Sequence, residues 1–93
     1  MVGQALTSRV TVPGVVKTCN GRVWHIHIEP SGLAGSVIVY DNPTTNAGTV
    51  LVSIVTPANS TVPIDVSFAP IGLKSRLGLY VVVADCVAVV HYS

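Results

Sequence analysis

Charge is scarce in this sequence. Of 93 residues, five are basic and four acidic, 10% in all, where a soluble domain typically carries about 25%. The basic residues are scattered, so no stripe exists to neutralise a phosphate backbone, and nucleic-acid binding is not expected. A net charge of +1 gives no electrostatic hold on an anionic membrane. The longest apolar run, residues 79–90, is broken by Asp85 and is too short to span a bilayer. The opening "MVGQALTSRV" has no charged start followed by an apolar stretch, so no secretory signal is expected. Only two cysteines are present, Cys19 and Cys86. Free thiols are the default for a chain folded inside a cell, and both are expected to pack as small buried apolar groups.

Motifs of catalysis are missing too. There is no G-x-S-x-G elbow for a serine nucleophile. The 71–78 stretch lacks the G-x-x-x-x-G-K-[ST] spacing of a phosphate loop and reads as a solvated turn. Four acidic residues in total leave a paired-carboxylate site unsupported. Asn59-Ser60-Thr61 matches the glycosylation acceptor pattern but reads more simply as a turn. No cofactor is expected, and an enzyme is not.

What is abundant is branched and apolar. Hydrophobic residues make up 49% of the chain, and its wealth of valine and threonine suits the pleat of a β-sheet. Turn signals recur at Pro13-Gly14, Asn20-Gly21, Pro30-Ser31-Gly32, Asp41-Asn42-Pro43, Asn46-Ala47-Gly48, Pro57-Ala58-Asn59-Ser60, Pro70-Ile71-Gly72 and Ala84-Asp85. No helical period appears between them. The spacing predicts an all-β chain: an antiparallel β-sandwich, jelly-roll-like, with about eight short strands. The strands are expected at 8–12, 15–18, 22–29, 36–41, 49–55, 62–68, 78–83 and 86–92. A single domain is expected, with 1–20 as an N-terminal strand or arm and 21–93 as the sandwich core.

Alternation along 61–69 puts Val62, Ile64, Val66 and Phe68 on one face and Pro63, Asp65 and Ser67 on the other. Pro63 marks that strand as an edge, because proline cannot donate to the ladder. By contrast, 37–40, 51–55 and 79–83 are apolar on both parities. One parity serves the core, and the other needs a cover. A small domain has much surface for its volume, and soluble monomers rarely expose large continuous apolar patches. A homo-oligomer or a component of a larger assembly is the economical answer. The self-contact candidates are Val37, Val39, Tyr40, Leu79, Val81 and Val83.

The stretch "RVWHIHIE" (22–29) raises a separate question. Strict alternation would put Arg22, Trp24, Ile26 and Ile28 on the core side, with Trp24 as an anchor. Val23, His25, His27 and Glu29 would then share the other face. Histidines two apart on a strand can share a zinc or iron ion, which makes His25 and His27 weak metal candidates. No further histidine motif at cupin spacing follows, and His91 is the only other histidine. The plainer reading is a surface facing solvent or a neighbouring subunit. At an interface, the pair would make assembly pH-sensitive, because histidine titrates near 6.5.

The order of motifs resembles small tailed-bacteriophage virion proteins of the capsid cement or decoration type. The shared parts are an aromatic-led strand (24–28), G-x-V-x-V-Y-D (35–41), a polar turn and G-T-V-L (48–51), F-x-P (68–70), G-L-Y-V (78–81), and a last strand ending in tyrosine (87–92). This is a pattern of strands and turns, not a catalytic signature. It implies a jelly-roll-like fold made in the host cytoplasm, often assembled as trimers on the outer surface of the virion head. Such proteins bridge neighbouring major capsid subunits. The N-terminal segment with Arg9, and the loop holding Lys74 and Arg76, are the capsid-contact candidates. A carbohydrate- or receptor-binding module on a tail or fibre is the alternative, with Tyr40, Tyr80 and Tyr92 as a candidate aromatic platform.

Overall fold

A computed structural model describes residues 6–45, 48–59, 62–68 and 71–93. The fold is an antiparallel β-sandwich of nine strands: β1 (Leu6–Val10), β2 (Gly14–Lys17), β3 (Gly21–Pro30), β4 (Gly35–Asp41), β5 (Thr49–Thr56), β6 (Ile64–Ser67), β7 (Leu73–Ser75), β8 (Leu79–Ala84) and β9 (Cys86–Tyr92). Among the described residues, no helix is long and apolar enough to cross a membrane.

The first sheet has the order β1-β9-β3-β6, with β7 also on β3; the second has β2-β8-β4-β5. The chain passes from one sheet to the other after β1, β2, β3, β5, β7 and β8, and stays within a sheet only from β4 to β5 and from β6 to β7. With β7 set aside, this is the strand order of a jelly roll. Residues 6–17 supply one strand to each sheet, while 1–5 lie outside the described residues.

β7 falls within the stretch expected to be a solvated turn. Its pairing is Gly21↔Ser75, Arg22↔Lys74 and Val23↔Leu73, so it continues the line of β6 along the same side of β3. Ser75 is fully buried and accepts the Gly21 backbone N–H at 2.9 Å. Three residues are too few to show a period, and this strand exists because β3 offers it a free edge.

The core lies between the sheets. Val23, Ile26, Ile28, Ala88 and Val90 come from the first sheet, and Val37, Val39, Leu79 and Val81 from the second, all at 0% exposure. Each large aliphatic side chain buried this way contributes about 1.5–3 kcal/mol of transfer free energy. β4 alternates buried and half-buried along its full length.

β3 departs from strict alternation. Its pairing with β9 shifts between Val23 and His25, a bulge that adds one residue and reverses the parity. Val23 therefore joins Ile26 and Ile28 in the core, and Trp24 does not. The expectation of Trp24 as a core anchor is corrected. It is half-buried, its indole N–H donates to Ser93 Oγ at 3.0 Å, and the Arg22 guanidinium lies 5.8 Å from its ring centroid. The cysteine expectation is corrected in part: both thiols are free, Cys86 is buried, but Cys19 is exposed.

Candidate functional site

The two outer faces of the sandwich differ in chemistry. On the first sheet, register fixes one row as Thr7, His91, His25 and Ser67, and the next as Arg9, Val89, His27 and Asp65. All three histidines thus share one surface, which the sequence left undecided for His91. His25 Nε2 and His27 Nδ1 both donate to Asp65 Oδ1, at 2.9 and 2.7 Å. The His25 and His91 rings meet edge-on, centroids 5.6 Å apart, and Thr7 Oγ1 lies 3.3 Å from His91 Nδ1.

These hydrogen bonds from His25 and His27 hold the Asp65 carboxyl below its ordinary value. Both imidazoles spend a nitrogen on one carboxylate oxygen. Among the described residues, no group of three histidine, cysteine or acidic side chains is arranged to hold a metal ion. Asp65 is placed on the outer face of its strand by alternation alone, which says nothing of these partners. Its role depends on the β3–β6 register (His27↔Asp65), which neither strand's own sequence encodes. Beside the cluster, Arg9 Nη1 pairs with Glu29 Oε2 at 2.9 Å with both side chains largely exposed, an arrangement that adds little stability.

The second sheet turns a different surface outward. Val37, Val39, Leu79, Val81 and Val83 are buried between the sheets. These five proposed self-contacts therefore have no surface to offer another subunit. The parity was misassigned because both parities of β4 and β8 are apolar. Tyr40 alone of that set is on the outer side. There it pairs with Tyr80 and Val50, and Tyr80 pairs with Val15, giving the row Val15, Tyr80, Tyr40, Val50. The next row is Val82, Ile38, Ser53; the third is Ala84, Ser36, Val55. None of these side chains carries a charge. Val15, Val50 and Val55 are 43%, 48% and 70% exposed.

One end of the sandwich gathers positive charge. Lys74 and Arg76, both capsid-contact candidates, line a cleft of about 510 Å³ with Asp41, Thr49, Leu51 and Leu77. Lys74 also borders a smaller cavity with Lys17 and Arg22. Asp41 does not neutralise these groups at their tips. Its carboxylate is buried and accepts the backbone N–H groups of Arg76, Leu77 and Gly78 at 2.8–3.3 Å. Burial pushes its pKa up, but these three donors together with the nearby Arg76 charge hold the carboxyl below its ordinary value. Asp41 thereby shapes the loop that presents Arg76.

No family model matches this chain, and no curated protein or solved structure does.

Proposed function

We propose that this protein is a non-enzymatic structural component of a virion. It self-associates and bridges neighbouring major capsid subunits on the outside of the head. The observation that carries the assembly part is the outer face of the second sheet: three adjoining rows of side chains, mostly apolar, without a single charge. A specific interface typically buries about 1,600 Å² in total around an apolar centre with a polar rim. That face supplies the centre. The Lys74–Arg76 end offers the capsid contact, because neither cation is tied into a salt bridge among the described residues and the one carboxylate in the cleft, Asp41, is buried. The virion part rests on the motif order together with the jelly-roll strand order, a fold that also hosts lectins and cupins.

Light scattering after size exclusion tests self-association, with an oligomer expected. Mass spectrometry of intact virions tests the location. Copy numbers in the hundreds fit a capsid component, whereas a handful fits a tail or portal accessory and removes the decoration role.

A second reading is favoured by one pair. Tyr40 stands opposite Tyr80 on the exposed side of the second sheet, and neighbouring aromatic rings are a common floor for sugars. Tyr92 belongs to the other sheet and cannot join them. Glycan-array binding that is lost on Tyr40→Ala would favour a carbohydrate-binding module.

A further inference from the structure

The strand edges of a sandwich are open templates for pairing, and natural proteins guard them with charge, proline, bulges or brevity. Three of the edges here are guarded. β1 is five residues long and carries Arg9; β2 is four residues long, follows Pro13, ends on Lys17 and is bulged. The edge formed by β6 and β7 is broken into pieces of four and three residues, with Pro63 just ahead and Asp65 and Lys74 within. β5 is the exception. Its eight residues, TVLVSIVT, hold no charge and no proline, and β4 is its only strand partner among the described residues.

We infer that β5 is the seam at which two copies of this chain join, antiparallel about a two-fold axis, so that two four-stranded second sheets become one continuous sheet. The inference deepens the assembly reading above and rests on it. Two observations select a second copy as the occupant.

The first is charge complementarity. The Thr49 end of β5 adjoins the cleft where Lys74 and Arg76 outnumber the one buried carboxylate, Asp41. The Thr56 end pairs with Gly35, where the Ala84–Asp85 backbone packs closely, and Asp85 is exposed there. Antiparallel pairing about a two-fold lays the basic end of each copy beside the acidic end of the other, twice. The second is continuity. Val50 and Val55 belong to the uncharged outer rows, so joining two β5 strands extends one apolar face across the seam, with no like charges meeting at the axis. A closed two-fold contact of this kind is isologous. It gives an even-numbered assembly, in place of the trimer that the virion resemblance implies.

Sedimentation velocity on the full chain over a range of concentrations tests this, alongside Val50→Lys and Val55→Lys. Both side chains are exposed, so circular dichroism and the thermal midpoint of the dissociated chain are expected to stay near wild type. The wild type is expected to form a dimer. Each lysine is counted twice across the axis and should raise the dissociation constant about tenfold or more. Val62→Lys, at a site 71% exposed beside the other sheet, should leave it unmoved. Asp85→Asn and Arg76→Gln should each weaken the dimer, most at low salt. Hydrogen exchange should show β5 amides protected more strongly as concentration rises.

A dimer indifferent to both β5 lysines, or a trimeric wild type, overturns the seam and leaves self-association standing. A wild type that is monomeric at every concentration overturns both.

Discussion

Oδ1 of Asp41 accepts the backbone N–H of Leu77 at 2.8 Å, across 36 positions of sequence. The same carboxylate takes the N–H groups of Arg76 and Gly78, so one buried side chain organises the link from β7 to β8. Asp41→Ala should cost about 1.5–3 kcal/mol, the usual range for hydrogen bonds to a charged group, and release the loop that carries Arg76. Urea unfolding measures the first effect, and amide exchange at 76–78 the second. The folded pKa of Asp41 is lowered, so its stabilisation is complete above the ordinary carboxylate value of 3.8 and is lost as pH falls through the lowered folded value. Asp41→Asn should flatten that acid limb.

Asp65 lends itself to direct titration. Carbon-detected NMR should place its carboxyl below the ordinary value of 3.8. Replacing both His25 and His27 by alanine should return it to that value, because those two hydrogen bonds are the principal cause of the shift. An unmoved midpoint in the double variant would mean that the imidazoles do not touch the carboxylate in solution.

Ile26 and Trp24 should separate cleanly in stability. Ile26 is fully buried, and Ile26→Ala should cost about 2–5 kcal/mol. Trp24 lies outside the core on the far side of the β3 bulge. Its fluorescence should respond to soluble quenchers in the native state, whereas a core tryptophan would be shielded. Trp24→Phe forfeits mainly the hydrogen bond to Ser93 and should cost about 1 kcal/mol.

The crossing from β8 to β9 consists of Asp85 alone, at a φ of 53°. Left-handed backbone is tolerable for aspartate and costs most other residues about 1–2 kcal/mol. Asp85→Val should therefore destabilise by about that amount, and Asp85→Gly should not. At Gly35 a side chain would strike the carbonyl oxygens of Ala84 and Asp85. Gly35→Ala should cost about 1–3 kcal/mol and lower the melting temperature by several degrees.

Strand placement was readable from local cues, because valine- and threonine-rich runs between Pro-Gly, Asn-Gly and Asp-Asn-Pro turns leave few alternatives. Each of the eight expected strands overlaps an observed one, with ends displaced by at most two residues. Parity was readable only where polar and apolar residues alternate, as around Ile64, Asp65 and Val66. It was hidden in β4 and β8, whose residues are apolar in both directions, and it was misread at Trp24 because a bulge leaves no trace in the sequence around it. Long-range partnerships were out of reach for the same reason. Nothing near His25 points to Asp65, and nothing near Asp41 points to Leu77, until two sheets bring them together.

β9 lies between β1 and β3 in the first sheet. That sheet therefore cannot close until residue 92 has left the ribosome, and β1 must wait unpaired for a neighbour synthesised some eighty residues later. Folding is therefore expected to be slow for the chain's size, as is usual where strand pairing spans most of the polypeptide. Until it finishes, an uncharged strand such as β5 is open to pairing with other chains.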